Sequence, residues 1–249
     1  MIIILSPAKR MRREEVLLPK DTPVFLEKAE VILKTLRQMT PAQRAEIWNC
    51  SAKLCRENEE RLSVTDLRKG LSPALFSYCG LAYTHLAPEA LTDGQLDYLD
   101  HHLCILSALY GVLKPMDGIV PYRLEMKAPL SVEGSADLYA FWNQSIARYL
   151  ESKDRVIVNL ASKEYSDAVR PYLSDRAAFI DVDFVVRSKG KLVTKATPAK
   201  MARGSMTQWA AVHSVEEPSR LKDFDEGYTF LEEVSDERRY VFVQNENET

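Results

Sequence analysis

The chain has 249 residues, 46% hydrophobic and 28% charged, with a formal net charge of −3 at pH 7. That length suffices for a sizeable core, and the charge balance excludes a polycation that coats nucleic acid with its whole surface. No apolar run approaches the roughly 18 residues of a membrane span, and the opening "MIIILSPAKR" is too short for a signal-peptide core, so a cytoplasmic protein with no membrane partner is expected. Cys50, Cys55, Cys79 and Cys104 form no CxxC pair, which fits a reducing compartment.

In chain order, residues 2–5 read as a buried strand, a short β-branched run stopped by Ser6-Pro7. Residues 10–22 read as a loop, with four charges in a row followed by prolines. Helical periodicity covers 23–39, 41–61, 95–109, 136–151, 163–173 and 198–213. Strand candidates are 156–160, 179–186, 191–194 and 240–244, and Gly190 turns the middle two into a hairpin. "FSYCGLAYTHL" (76–86) reads as a strand entering a glycine turn, with Tyr78 and Tyr83 as core side chains. No linker or repeat divides the chain, and the first strand lies far from the other strands in sequence. The expectation is therefore an α+β fold: a single domain, residues 1–249, with a mixed β-sheet core flanked by helices.

Several stretches place polar groups where packing does not require them. "ILSPAK" delivers Ser6 and Lys9 beyond the end of a strand, and "VIVNLAS" does the same with Asn159 and Ser162. Ligands of open α/β sheets sit outside the carboxyl ends of strands, although Ser162 is also a good helix N-cap, with Glu164 and Tyr165 in the turn it starts. In "ATPAKMARGSMTQW", Thr197-Pro198 reads as a helix start. Lys200 and Arg203 then share a face of the first turns, where cations oppose the helix dipole. A bound anion would reverse that penalty. Gly204 inside this helix costs about 1 kcal/mol relative to alanine and permits close approach of backbone or ligand. The charge is uneven as well: residues 187–203 carry six basic and no acidic residues, while residues 223–249 carry nine acids against two arginines.

"ILSALYGVLKPMDGIVPYRLEM" (105–126) has the layout helix, glycine hairpin, short helix. A helix-hairpin-helix module holds DNA phosphates with such a hairpin and a nearby cation; here the candidates are Gly111 and Lys114, with one glycine where the module usually has two. Tyr122, Arg123 and Glu125 follow in an extended segment, Arg123 and Glu125 on one side of it, either as an ion pair or facing a ligand. There is no GxSxG, Walker A loop or GxGxxG, so no cofactor is expected. The histidines and cysteines show no metal-ligand spacing, so no metal is expected, and no catalytic residue is identified.

Taken together, "LSPAK" (5–9), "YCGLAYTHL" (78–86), "LSALYGVLKPMDGIVPYRLEM" (106–126), "DLYAFW" (137–142), "VIVNLASKEY" (156–165), "KMARGSM" (200–206) and "FDEGYTF" (224–230) resemble the YaaA family of peroxide stress resistance proteins over nearly the whole chain. The resemblance implies a cytoplasmic bacterial protein that supports survival of hydrogen peroxide by limiting free intracellular iron. It also implies a compact α/β fold peculiar to the family, a positive cleft, a helix-hairpin-helix-like element and affinity for duplex DNA. Lys163 departs from the family's usual acidic residue, and Gln208 from an often basic one.

Two functions from different classes follow. The first is a peroxide stress protein that binds double-stranded or distorted, bubble-containing DNA through Lys9, Gly111, Lys114, Arg123, Lys163, Lys200 and Arg203. The second is an enzyme for a small phosphorylated or nucleotide-like ligand, held in a polar pocket of Ser6, Tyr122, Glu125, Asn159, Ser162, Glu164 and Tyr165. A closed pocket ringed by these residues favours the second, and an open basic groove the first. Direct iron sequestration has the least support, because no Glu-x-x-His spacing of di-iron helices occurs.

Overall fold

The structure, a computed structural model, describes residues 1–15 and 17–245. Its centre is an eight-stranded sheet of β1 (Ile2–Leu5), β2 (Leu103–Ser107), β3 (Gly111–Leu113), β4 (Val156–Leu160), β5 (Ala178–Ser188), β6 (Lys191–Val193), β7 (Tyr228–Phe230) and β8 (Arg239–Gln244). The order is β7-β8-β5-β4-β1-β2-β3, with β6 paired to β5. The five inner strands run parallel, and β3, β6 and β7 are antiparallel additions. Strands from both ends of the sequence share this sheet, so the mixed α+β fold with one core is as expected.

β1 explains the architecture. It is buried along its whole length, as an inner parallel strand covered on both faces must be. The helices around the sheet include α1 (Leu26–Gln38), α2 (Pro41–Trp48), α3 (Ala52–Val64), α4 (Leu81–Leu86), α5 (Asp93–His102), α6 (Leu138–Trp142), α7 (Ser145–Lys153), α8 (Lys163–Ser166) and α9 (Ala196–Val212). The two-residue turn between β5 and β6 has positive φ at both Lys189 (51°) and Gly190 (75°), the type I′ geometry that matches strand twist.

Several expected elements are corrected. The helix at 95–109 stops at His102, and residues 103–113 form the β2–β3 hairpin instead. Helix-hairpin-helix is therefore not the local structure; the segment is strand, turn, strand. Its sequence is apolar on every side, and periodicity does not separate a strand buried on both faces from a buried helix. The stretches 41–61 and 136–151 each break in two, at Asn49 (φ 39°) and Asn143 (φ 45°), where asparagine tolerates the left-handed region. The helix expected over 163–173 closes after one turn, with a 3-10 turn at Arg170–Tyr172. Within the expected loop, Arg10–Met11 is a short strand paired with Tyr78–Cys79. α9 begins at Ala196 with Lys195 as N-cap, so Thr197 and Pro198 lie within its first turn. Of the acidic C-terminal stretch, Glu246 and Glu248 lie outside the described residues.

Candidate functional site

The site follows from strand register. β1 is flanked by β4 and β2, with Leu5 opposite Leu160. From β1 the sheet grows through β2 in one direction, and from β4 it grows through β5 in the other. The carboxyl ends of β1 and β4 thus bound a topological switch point, where parallel sheets open a crevice for ligands. A cavity of about 340 Å³ occupies it, within the range of small-molecule sites, roughly 300–1,000 Å³.

Ser6 and Ser162 leave the two strand ends side by side. The Ser162 amide donates to Ser6 Oγ at 2.8 Å, and the Ser6 hydroxyl donates to Ser162 Oγ at 3.2 Å. Tyr83 fixes Ser6 from the other side, donating its hydroxyl to the Ser6 carbonyl at 2.9 Å. Ser162 stands at the N-cap of α8, yet its side chain makes no capping bond. The hydroxyl is turned to Ser6 and the cavity, where its own proton remains available for a ligand.

Five cations and two carboxylates line the cavity. Glu125 lies between two of the cations, 2.8 Å from Lys9 Nζ and 2.8 Å from Arg123 Nη2. Of the arrangements expected for Arg123 and Glu125 the ion pair is present, and both residues line the cavity. Glu164 accepts from the Lys127 amide at 3.2 Å. Arg203 combines two features: like that of Arg123, its Nε is buried without a hydrogen-bond partner, but unlike Arg123 its guanidinium forms no ion pair among the described residues. Burial pulls its pKa down, and Asp183 opposes that effect. A cation half-buried in a cavity wall with no acid in ion-pair contact carries a desolvation cost that Asp183 offsets only in part. An anion in the cavity would relieve the rest.

Arg203 reaches the cavity because α9 lies unusually close to α4. A Cβ on Gly204 would stand 1.9 Å from the Ala82 carbonyl oxygen, so glycine permits the helix contact that carries Arg203 and Lys200 to the wall. The close approach read from sequence is therefore to a neighbouring backbone. Tyrosines form the floor: the Tyr122 hydroxyl bonds Ser107 Oγ at 2.7 Å and the Tyr78 hydroxyl at 2.9 Å. Burial pushes Tyr122 up to about 12, and Tyr78, Tyr83 and Tyr165 well above the usual phenol range. Of these, Tyr83, Tyr122 and Tyr165 line the cavity, as neutral hydroxyls.

Ten of the expected residues converge here: Ser6, Lys9, Tyr122, Arg123, Glu125, Ser162, Glu164, Tyr165, Lys200 and Arg203. Four lie elsewhere. Asn159 faces its cross-strand neighbour, donating to Asp181 Oδ1 at 2.8 Å and accepting from the Ala161 amide at 2.9 Å. Lys163 is exposed and pairs with Asp167 at 3.1 Å. Lys114 pairs with Asp21 beside the outer strand β3. Gly111 (φ 73°) lets the β2–β3 turn pack on Trp142, where a Cβ would lie 2.7 Å from the ring. Sequence reasoning missed Arg10, Cys79, Gly80 and Ala82 in the lining. Arg10 and Cys79 reach the lining as cross-strand partners in the short ladder of Arg10–Met11 with Tyr78–Cys79.

Comparison with known proteins identifies the family. A family profile described as "Peroxide stress protein YaaA" matches residues 1–234. A UPF0246 protein of Agathobacter rectalis is 41% identical over 244 residues, covering 97% of this chain and 98% of the relative. One from Lactiplantibacillus plantarum is 41% identical over 245 residues, covering 98% and 99%. One from Lactobacillus delbrueckii subsp. bulgaricus is 44% identical over 243 residues, covering 97% and 98%. The chain belongs to the YaaA family of peroxide stress proteins.

Proposed function

We propose that this peroxide stress protein acts through the cavity at the β1/β4 switch point, which binds a small phosphorylated, nucleotide-like molecule as ligand or substrate. The observation that carries the reading is Arg203, with its Nε buried and unpartnered in the wall. Arginine forks suit phosphate oxygens bidentately, Lys200 adds a second cation at the mouth, and the Ser162 hydroxyl adds a directional donor. The apolar and tyrosine surface beside them accommodates a base or sugar. In this reading the iron limitation implied for the family follows from what the cavity binds or turns over.

DNA binding is a second reading, favoured by a separate observation. Arg187, Lys189, Lys191 and Lys195 are exposed and form no ion pair among the described residues, and they lead into the helix that carries Lys200. A duplex, whose major groove alone is about 12 Å wide, is too large for the cavity. It would lie across these outer cations, with binding steeply dependent on salt.

Thermal stability measured against a panel of nucleoside mono-, di- and triphosphates and sugar phosphates tests the first reading. A ligand that raises Tm in the wild type and not in Arg203→Ala supports it, because binding to the folded state alone stabilises by mass action. If no phosphorylated compound shifts Tm while duplex DNA binds with a salt slope that falls in Lys189→Ala/Lys191→Ala, the second reading replaces it.

A further inference from the structure

The four thiols are not equivalent. Cys104 is buried in β2, and Cys79 lines the cavity. Cys50 and Cys55 face each other with their sulfurs 3.5 Å apart. We propose that Cys50 and Cys55 are a peroxide-oxidisable dithiol, a modification site that closes to an intramolecular disulfide when the protein meets hydrogen peroxide or an organic hydroperoxide.

The geometry is set by the α2–α3 hairpin. Asn49, in the left-handed conformation, ends α2, and Ser51 caps α3. Cys50 therefore sits in the short link, and Cys55 follows in the first turns of α3. The two helices are clamped by Arg44 and Glu59, whose guanidinium and carboxylate meet at 2.7 Å and 2.5 Å. Arg44 is buried and also bonds carbonyls at the end of α1, so the hairpin holds the thiols together rather than letting them diverge. A disulfide needs sulfurs at about 2.05 Å, an approach of roughly 1.5 Å that side-chain rotation and a small movement of the link supply. Both thiols are half-buried, open enough for a small peroxide, in contrast to Cys104.

The chemistry balances with peroxide as the oxidant. The Cys55 thiolate attacks one peroxide oxygen, the O–O bond breaks, and the departing oxygen takes up a proton as water or alcohol. Cys55 is then a sulfenic acid. Cys50 gives up its proton, attacks the Cys55 sulfur, and the S–O bond breaks to release a second water. Two thiols lose two electrons, and the peroxide gains them. Burial, with the neighbouring Cys55 thiol adding to it, pushes the Cys50 thiol up, which suits Cys50 to the resolving role.

The pair also adjoins the ligand cavity from behind. Asn58, one turn beyond Cys55, lies 3.9 Å from Cys50 Sγ and lines a small recess with Arg123, and Arg123 belongs to the main cavity wall as well. The thiol chemistry stands independently of what that cavity holds.

The test is peptide mapping of the purified, reduced protein after brief exposure to hydrogen peroxide, with free thiols alkylated before digestion. Trypsin cuts after Arg44, Lys53 and Arg56, so a Cys50–Cys55 disulfide joins fragments 45–53 and 54–56. That linked pair should accumulate and disappear on reduction, while Cys104 remains alkylated. In Cys50→Ser, a dimedone adduct should form on Cys55; in Cys55→Ser, Cys50 should react at least tenfold more slowly than Cys55 does in Cys50→Ser. Oxidation confined to Cys79, or fragments 45–53 and 54–56 recovered separately with both thiols alkylated, would overturn the proposal. Serine variants that lost the wild-type circular dichroism would leave the wild-type map to decide it.

Discussion

The Ser162 amide donates to Ser6 Oγ at 2.8 Å, joining two strand ends that lie 156 residues apart in the chain. This bond distinguishes the roles of two serines that the sequence presents alike. Ser6→Ala leaves the Ser162 amide without its acceptor and should destabilise the fold by about 1–3 kcal/mol. Ser162→Ala keeps that amide bonded and removes only a weak hydroxyl contact, so its effect on stability should stay within about 0.5 kcal/mol. Urea unfolding of the two variants checks the difference; equal losses would mean that Ser6 is not the anchor.

Gly204→Ala should destabilise although alanine is the better helix former by about 1 kcal/mol. Its Cβ would meet the Ala82 carbonyl at 1.9 Å, so α9 must move away from α4, with a net loss of about 2 kcal/mol or more. Arg203 would withdraw with the helix, and any ligand response should weaken in the same variant. A stabilised Gly204→Ala would contradict the helix contact.

At Gly111 the expected effect is on packing. With φ 73° and Trp142 2.7 Å from an added Cβ, Gly111→Ala should lower stability by about 1–3 kcal/mol. Affinity for DNA or for phosphorylated ligands, measured under conditions where the variant remains folded, should be unchanged. A selective loss of DNA binding with stability intact would restore the hairpin to a binding role.

Asp117 makes stability depend on pH. It is buried, and one carboxylate oxygen has no partner while the other accepts from the Lys114 amide at 2.8 Å. Burial pushes its pKa up to about 6, and the Lys114 amide opposes that shift. Because the folded value lies above that of the unfolded chain, the stabilising effect is present in full below the ordinary aspartate range and is lost as pH rises through about 6. Asp117→Asn is neutral throughout and should be more stable than the wild type at pH 8 by about 1–3 kcal/mol, with little difference at pH 4. A difference that does not vary with pH would contradict the raised pKa of Asp117.

The sequence was informative about this site where local chemistry conflicted with packing. Ser6, Ser162, Lys200 and Arg203 stood out because strand ends and a helix start carried groups the fold did not need, and the structure brings all four to one cavity. Asn159 shared that signal, but its place opposite Asp181 was set by cross-strand register, which a single strand does not reveal. The β2–β3 hairpin was hidden by composition, since a strand buried on both faces loses its alternation. The spacing of Cys50 and Cys55 matches no familiar motif; the turn at Asn49 brings them together.

The most direct measurement is a calorimetric titration of wild type and Arg203→Ala with the nucleoside phosphate that most raises Tm. The account predicts saturable binding at one site per chain, weakened at least tenfold in Arg203→Ala, a difference of about 1.4 kcal/mol or more. Equal affinity in the two proteins, or no nucleoside phosphate binding beside tight binding of duplex DNA, would contradict a phosphate-binding cavity built around Arg203.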